Sequence, residues 1–282
     1  MSTPTLSSTT TADVEELARL ARWVRATSLR VIVAAATGHP AAELSAADIL
    51  SVLYGAVLNV NAEEPHAPGR DRFVCSKSHA SAALYSVLCA RGFLGEDELF
   101  SYGQAGSRLC TAVSNRLPGV EFSTGALGHG LPFATGCAIA AKLDRSPRRV
   151  IVMTGDGELQ EGSNWEAAML AASRGLDNLT LVIDRNRVQK GASTEEINAL
   201  EPLREKWGAF GWATRDVDGH DHRALLDVFN ATPFESGRPS CVIAATVKGR
   251  GVSFMENQLE WHGKRLEPRE LQLALAQIEA GG

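Results

Sequence analysis

The first part of the chain carries apolar residues at the spacing of an α-helix. They lie largely three or four positions apart from Asp13 onward, at Leu17, Leu20, Ala21, Val24 and Leu29. This period predicts a long helix that begins near Asp13. A second helix is predicted over 45–54 with Ser45 as its N-cap, and a third over 81–91 that stops at Gly92.

Short apolar runs alternate with helical patterns through the rest of the chain. The predicted strands are 71–75, 149–153, 179–183, 213–217 and 241–247. Further helices are predicted over 165–174 and 223–230. Buried strands that alternate with helices indicate a parallel sheet covered on both faces. We therefore predict one doubly wound, mostly parallel α/β domain over residues 13–282, preceded by a flexible Ser/Thr-rich tail over 1–12.

Composition excludes several classes of protein. Hydrophobic residues make up 44% of the 282 residues and charged residues 22%, which is typical of a folded chain with a large core. A formal net charge of −5 argues against a nucleic-acid partner. Five scattered cysteines without a CxxC pair indicate free thiols in a reducing compartment. The N-terminus lacks signal-peptide features and no stretch is long and apolar enough for a membrane span, so we expect a cytoplasmic protein.

Polar residues follow two of the predicted strands. Gly155-Asp-Gly157 comes after the strand at 149–153, and Asn186 follows the strand at 179–183. Ligands of open α/β sheets bind beyond the carboxyl ends of the strands. Glycines let the backbone approach a diphosphate, and carboxylate and amide oxygens suit Mg²⁺ or Ca²⁺. The two strand ends are therefore candidates for one shared metal and phosphate site.

A further turn motif has a simpler interpretation. Asp218-Gly-His-Asp221 precedes the helical pattern at 223–230, which predicts an N-cap turn at Asp221. We interpret His220 and His222, which flank Asp221, as structural residues.

Several blocks in order resemble the transketolase family. The segment 155–162, with Trp165-Glu-Ala-Ala168, 177–180 and Asp184-Arg-Asn186, resembles the family's thiamine diphosphate motif. The other blocks are Thr37-Gly-His-Pro40, Asp71-Arg-Phe-Val74, Ser78-His-Ala80, Ser123-Thr-Gly125, Leu127-Gly-His-Gly130, Asp218-Gly-His-Asp221, Val247-Lys-Gly249 and Trp261-His-Gly-Lys264. The resemblance covers about residues 13–265.

The resemblance implies a site for thiamine diphosphate and a divalent ion, Mg²⁺ or Ca²⁺. Asp156, Asn186 and the backbone carbonyl of Val188 would ligate the metal, and Gly157 would lie against the diphosphate. Gly125 and Leu127 would line the ring region of the cofactor. The full set of implied cofactor-binding residues is His79, Gly125, Leu127, Gly155, Asp156, Gly157, Glu158, Asn186 and His262.

The resemblance also implies catalytic residues. His39, His79 and His262 would face the reacting carbon and steer proton transfers and substrate hydroxyls. Glu161 and Glu166 resemble the family's carboxylates at the subunit interface. A histidine considered without context is more often structural, so these roles depend on the resemblance.

The expected function follows from what the family does. The chain resembles the N-terminal component of a two-subunit transketolase, which moves a two-carbon ketol unit from a ketose donor to an aldose acceptor. A partner subunit would supply the pyrimidine domain with its glutamate, and we expect two copies of each chain. Two alternatives remain: a related carboligase with a pyruvate-like donor, and a scaffold subunit without catalytic activity. A dehydrogenase E1 α-chain fits the blocks around 161–168 and 261–264 less well.

The chain departs from the family pattern near the donor side of the site. Cys110-Thr-Ala-Val113 stands where a Gly-His-Pro element is usual, and that histidine contacts the donor's hydroxyl end. Ser78, Ala41 and Ala42 replace glycines. The identity of donor and acceptor, their phosphorylation and the pathway are left open.

Overall fold

Five parallel strands form a sheet in the computed structural model, which describes residues 13–281. The strands are β1 (Arg72–Cys75), β2 (Val150–Gly155), β3 (Leu179–Arg185), β4 (Ala213–Asp218) and β5 (Ser240–Ala245). Their order across the sheet is β1-β2-β3-β5-β4, and each neighbouring pair is parallel. This topology confirms the predicted fold class. The predicted tail over 1–12 lies outside the described residues.

Helices precede, connect and follow these strands. Within residues 13–281 the α-helices are α1 (Val14–Ala35), α2 (Pro40–Val52), α3 (Ser81–Ala90), α4 (Glu96–Leu99), α5 (Gly130–Leu143), α6 (Gly162–Ser173), α7 (Thr194–Asn198), α8 (Leu203–Ala209), α9 (His222–Asn230) and α10 (Pro268–Glu279). Short 3₁₀ turns occupy Ser78–Ala80, Gly157–Gln160 and Leu259–His262. In this part of the chain no helix is long and apolar enough to cross a membrane.

Both faces of the sheet are buried under helices. Ile151 and Met153 of β2 pack into a core with α1, α2, α3 and α9. Val150 and Val152 of the same strand pack into a second core with α5, α6 and α8. Burying each such aliphatic side chain contributes about 1.5–3 kcal/mol. Burial on both faces explains why the central strands β2 and β3 are nearly continuous apolar runs.

The predicted start of the second helix is wrong. Helix α2 begins at Pro40, and Ser45 lies buried in its interior. Proline is well suited to the first turn because its missing N–H needs no partner there. The Oγ of Ser45 donates to the Asp184 carboxylate at 2.9 Å instead of capping a helix. Ser45 is thus a polar contact between α2 and the end of β3.

Two long helices, α5 and α10, have no counterpart in the sequence prediction, and neither do the short helices α4 and α7. Helix α5 is rich in Ala and Gly, so its apolar side is not marked by a sharp period. Helix α10 carries Pro268 in its first turn and a capping box between Glu267 and Glu270, which are recognisable start signals. Its inner face packs with α1 and Trp261, and so fixes the segment that leads to His262.

Candidate active site

A cleft of about 500 Å³ opens at the carboxyl edge of the sheet. The predicted site residues that line it are His39, His79, Gly125, Leu127, Gly155, Asp156, Gly157, Glu158, Glu161, Asn186, Val188 and His262. Segments far apart in sequence therefore meet at one place. Glu166 lies elsewhere, on α6.

Asp156 lies directly after β2 and is held by the backbone around it. Its Oδ1 accepts from the N–H of Gly157 at 2.8 Å, and its Oδ2 accepts from the N–H of Arg187 at 2.5 Å. Oδ2 also lies 3.1 Å from Nη1 of Arg185. Burial raises the pKa of this carboxyl despite these contacts. Such an anion, removed from water, gains most from a nearby cation.

Asn186 and Val188 extend the oxygen set from the end of β3. Asn186 is buried, and its Oδ1 accepts from the N–H of Val188 at 3.1 Å. The carbonyl of Val188 accepts from Nζ of Lys248 at 3.1 Å. Carboxylate, amide and backbone carbonyl oxygens are the donors that Mg²⁺ and Ca²⁺ prefer. Asp156, Asn186 and Val188 therefore fit a hard divalent ion by donor type.

This donor set differs from a cluster of acidic or thiol ligands. Residues 13–281 contain no group of three or more His, Cys, Asp or Glu side chains placed to hold a metal. That result agrees with a set that contains one carboxylate, since an amide and a backbone carbonyl make up the rest. An ion held this way would keep free positions for water and phosphate oxygens.

Gly157 leaves room where a side chain would not fit. A Cβ at this position would lie 2.7 Å from Oε1 of Gln189 and 3.1 Å from its Cβ. That Oε1 is buried and has no hydrogen-bond partner among the described residues. A bare backbone beside an unpaired polar atom suits close approach by a polar ligand group.

Lys77 is a buried cation that the sequence analysis did not single out. It follows β1, and its Nζ donates to Oδ2 of Asp184 at 2.5 Å and to Oγ of Ser45 at 2.8 Å. Its third contact is the carbonyl of Ala42 at 2.9 Å. Although burial would raise the pKa of Asp184, Lys77 lowers it below the usual range. This pair joins β1, β3 and α2 beneath the cleft.

Lys248 is the second buried cation that was missed, and it is bound differently. Its Nζ contacts the carbonyl of Val188 and lies 2.8 Å from Nδ1 of His262. Within residues 13–281 no carboxylate forms an ion pair with it. Burial and then the charge of Lys77 lower its pKa to about 8. The lysine in the Val-Lys-Gly block was the available sequence signal.

Three histidines stand around the mouth of the cleft. Ring centroids are 5.7 Å apart for His39 and His79, 5.8 Å for His79 and His262, and 6.4 Å for His39 and His262. Burial first, and then the charges of Lys248 and Lys77, lower the pKa of all three, that of His262 to about 4. At neutral pH the rings are uncharged and can accept or donate a proton.

Local structure explains how each histidine reaches this place. His39 precedes α2, whose first turn starts with Pro40. His79 lies in the 3₁₀ turn after β1. His262 ends a turn that is anchored by Trp261, which is 1% exposed and packs against Phe254. Nδ1 of His39 is buried without a partner in the described chain, so it is available to a ligand.

Glu158 lines the cleft, but the chain itself uses its carboxylate. It accepts from Ser76 Oγ, from the N–H of Gly128 at 2.9 Å and from the N–H of Gly155 at 3.2 Å. These bonds join the loop at 125–130 to the end of β2. Burial raises the pKa of Glu158. The geometry therefore shows that Glu158 connects the loop at 125–130 to β2, and its direct contact with a cofactor stays a prediction.

Glu161 and Glu166 are both exposed, but only Glu161 lines the cleft. Glu161 is exposed at the mouth of the cleft and precedes α6. Glu166 lies on α6 near Met169 and Leu170, whose side chains are 55% and 43% exposed. The three residues at 166, 169 and 170 share one helix face. Their interface role stays a prediction.

The turn at Asp221 confirms the prediction of an N-cap. Oδ1 of Asp221 accepts from the N–H of Ala224 at 3.0 Å, and α9 follows. His220 and His222 both contact buried Asp48, at 2.6 and 3.0 Å.

The fold and the cleft define a doubly wound α/β domain with a cation-rich ligand site at the carboxyl edge of its sheet. Residues 17–279 match the family model described as "Transketolase, thiamine diphosphate binding domain". The chain therefore belongs to the transketolase family, in its thiamine diphosphate-binding domain, and the predicted membership is confirmed. The family consists of transferases, which confirms the predicted class of enzyme.

Several relatives of similar length are named as subunits. The chain is 44% identical over 245 residues to an apulose-4-phosphate transketolase subunit of Actinobacillus succinogenes, covering 86% of this chain and 88% of that one. It is 35% identical over 268 residues to the 6-deoxy-6-sulfo-D-fructose transketolase subunit SqwG of a Clostridium species, covering 95% and 98%.

Longer relatives share the same domain. Human transketolase is 36% identical over 254 residues, which cover 90% of this chain and 40% of that protein. Transketolase from Campylobacter jejuni superimposes with a TM-score of 0.86 at 30% identity, covering 94% of this chain and 42% of the other. The chain thus spans about two fifths of these longer proteins.

Proposed function

We propose that this chain is the cofactor-binding component of a two-subunit transketolase, which acts with a second chain that carries the pyrimidine domain. The observation that carries the proposal is the placement of Asp156, Asn186 and the Val188 carbonyl at adjoining strand ends beside buried cations. Three relatives that align with the chain over 83–98% of their own lengths are named as subunits, which supports the split architecture.

In this proposal the two strand ends hold Mg²⁺ and, through it, thiamine diphosphate. Asp156, Asn186 and the Val188 carbonyl ligate the ion, and the backbone at Gly157 lies against the diphosphate. Bound thiamine diphosphate supplies a carbanion and an electron sink for carbon–carbon bond cleavage and formation. Gly125, Leu127, Gly155 and Glu158 shape the walls around it.

The chain's own residues would then handle protons and exclude water. His39, His79 and His262 are neutral at pH 7 and close enough together to share one reacting centre. Each can hold or release a proton at its free ring nitrogen, as general acid–base catalysis requires. The buried Lys77–Asp184 pair keeps the strand ends in register beneath them.

Assembly is part of the proposal. The exposed face of α6 with Glu166, Met169 and Leu170 supports contact with another chain, with Glu161 at the edge of the same surface. We expect two copies of this chain and two of the pyrimidine-domain chain. The five unpaired cysteines support a reducing compartment, and we place the complex in the cytoplasm.

The reaction is the transfer of a two-carbon ketol unit from a ketose to an aldose. A specific observation favours a second candidate, a carboligase with a pyruvate-like donor. Thr111 and Ala112 line the cleft where the family's donor-side histidine is usual, so one contact to a ketose hydroxyl is missing.

The test combines binding and reconstitution. Titration calorimetry of the purified chain with thiamine diphosphate should show binding that depends on Mg²⁺. Two-carbon transfer should appear only after addition of a pyrimidine-domain chain, which we expect from the neighbouring open reading frame. Full turnover by the chain alone would contradict the split architecture. Absence of cofactor binding would favour the scaffold alternative.

A further inference from the structure

His220 lies at the carboxyl end of β4, outside the residues that line the cleft, but it contacts a loop that reaches the cleft. Its Nε2 accepts from the backbone N–H of Val247 at 2.8 Å. Its Nδ1 lies 2.6 Å from Oδ2 of Asp48. A backbone N–H can only donate, so Nε2 carries no proton in this arrangement. The proton is therefore on Nδ1 and is donated to Asp48.

Asp48 fixes the ring from the opposite side. It lies on α2, is 2% exposed, and also binds Arg25 of α1. Although burial alone would raise its pKa, Arg25 and then the two histidines keep the pKa of Asp48 well below the usual range. A buried carboxylate held by two helices is a rigid acceptor. It selects one tautomer of His220 and one orientation of its ring.

The amide that His220 binds immediately precedes Lys248. Thr246 precedes this pair of residues and Gly249 follows it, and the backbone holds both. The N–H of Thr246 donates to the carbonyl of Arg185 at 3.1 Å, and the N–H of Gly249 donates to the carbonyl of Ala41 at 3.0 Å. His220 supplies the acceptor between these two anchors, because Val247 has no other one among the described residues. The loop therefore has a defined path past the cleft.

Lys248 needs this support because of where its ammonium lies. Its side chain is 1% exposed, and its Nζ stands between the Val188 carbonyl and Nδ1 of His262. A buried cation without a carboxylate partner is costly to place, and a small shift of its backbone would lose both contacts. The position of the preceding amide thus determines whether Nζ reaches the cleft.

We propose that His220 is a positioning residue: its imidazole links Asp48 to the Val247 amide and thereby holds Lys248 at the cleft. The contacts within the chain define this role. The effect of His220 on the binding of thiamine diphosphate rests on the proposed function. His222 provides a natural comparison, because it also lies 3.0 Å from Asp48 but, among the described residues, forms no hydrogen bond to the loop at 246–250.

Two substitutions separate the two ring nitrogens of His220. In His220→Asn the amide reaches the Nδ1 position, so the donor to Asp48 is kept and the acceptor for Val247 is lost. In His220→Gln the longer amide places an oxygen near the Nε2 position, so the acceptor is kept. His222→Ala removes a contact to Asp48 while leaving the loop untouched, and it is the matched control.

The first readouts need no cofactor. Amide exchange of Val247 and acetylation of the Lys248 amine by acetic anhydride are measured in the full chain, with exposed Lys142 as internal standard. His220→Asn should speed both roughly 2- to 12-fold, the factor expected for one lost hydrogen bond. His220→Gln should restore wild-type rates, and His222→Ala should match wild type. Equal rates in His220→Asn and wild type would overturn the proposal.

Equal acceleration in all three variants would also overturn it, since that pattern indicates general loosening around Asp48. Should the Asn variant fail to fold, NMR of the wild-type chain decides: the proposal requires a scalar coupling between the Val247 amide and Nε2 of His220.

Titration with thiamine diphosphate follows, and the Asn variant should bind several-fold more weakly than the Gln variant. If the wild-type chain does not bind thiamine diphosphate, the proposed function is wrong. The exchange rate of the Val247 amide and the acetylation rate of Lys248 still test the role of His220 in that case.

Discussion

The two edges of the sheet both carry buried charges but arrange them differently. At the amino edge, Nη2 of Arg149 lies 2.6 Å from Asp71, and Arg70 and Arg72 both pair with Glu121. At the carboxyl edge, Lys77 forms an ion pair with the carboxylate of Asp184, whereas Lys248 forms no ion pair with a carboxylate within the described part of the chain.

The difference teaches how stability and binding are divided in this fold. Next to the first residues of β1 and β2, Arg70, Arg72 and Arg149 each have a carboxylate partner, and Nε of Arg70 is the atom among them that is buried without a hydrogen-bond partner in the described chain. The carboxyl edge retains an unpaired cation, three neutral histidines and unpartnered polar atoms on His39 and Gln189. Uncompensated groups of this kind are typical of binding sites. Changes at the two edges should therefore separate stability from cofactor affinity.

The largest effect is expected from Asp156→Ala at the carboxyl edge. Loss of the anionic ligand should abolish Mg²⁺-dependent binding of thiamine diphosphate, measured by calorimetry, because the amide and carbonyl ligands carry no charge to hold the ion. The chain should still fold, since Arg185 keeps Glu195 and Glu201 as partners. Asn186→Ala should weaken binding severely. An unchanged affinity in Asp156→Ala would place the ion elsewhere.

Asp71→Ala at the amino edge should lower the stability of the chain and leave its affinity for thiamine diphosphate unchanged. Asp71 accepts from the N–H groups of Asn59 and Arg149 and pairs with the Arg149 guanidinium. Its loss should lower the free energy of unfolding by about 2–4 kcal/mol, because several buried donors lose their acceptor. Urea unfolding measures this. The dissociation constant for thiamine diphosphate in the folded variant should match wild type, and a large change in it would remove the distinction between the edges.

The sequence predicted the elements of the amino edge and the sheet well, because their signals are local. The runs at 149–153 and 179–183 are largely apolar, and a strand buried on both faces requires that pattern. The start of α2 was misplaced because Ser45 resembles a cap, while its contact with Asp184 depends on a residue 139 positions away. Helix α5 was missed since small residues weaken the helical period.

At the carboxyl edge the sequence predicted most of the residues that line the cleft, but it did not predict the buried lysines Lys77 and Lys248. Asp156, Asn186 and the histidines belong to blocks that resemble a family, so motif order located them. Lys77, Lys248 and the links of His220 owe their roles to burial and to contacts between distant loops. No local pattern distinguishes a lysine without a carboxylate partner from one exposed to solvent.

Lys248→Met tests the unpaired cation directly. Removing a charged donor from the cleft should weaken thiamine diphosphate binding roughly ten- to a hundredfold, the factor for a charge-assisted hydrogen bond. Stability should stay constant or rise, because a desolvated ammonium is replaced by an apolar side chain of similar length. Lys142→Met, at an exposed position near the end of α5, is the matched control. If both variants bind thiamine diphosphate with equal affinity, Lys248 does not face its diphosphate.

The histidines should make the stability of the chain depend on pH. Their pKa values are lowered on folding, that of His262 to about 4 from an ordinary 6.5. Below pH 6.5 the unfolded chain therefore binds more protons than the folded chain, and stability falls as pH decreases toward 4. For His262 this loss should fall between about pH 6.5 and 4. In urea unfolding, the free energy of unfolding of His262→Asn should depend less steeply on pH. An unchanged slope would contradict the lowered pKa of His262.

The smallest effect concerns the donor. Thr111 lines the cleft, whereas its neighbour Cys110 is exposed and does not, so the two positions form a matched pair. Because a neutral hydrogen bond contributes about 0.5–1.5 kcal/mol, the missing donor-side histidine should lower the preference for a ketose over a pyruvate-like donor by roughly tenfold. Thr111→His should recover that preference and Cys110→His should not. The reconstituted complex is assayed with xylulose 5-phosphate, hydroxypyruvate and pyruvate side by side. A wild-type kcat/KM for the ketose phosphate far above both keto acids would contradict the prediction, since the partner or another residue would then supply the contact.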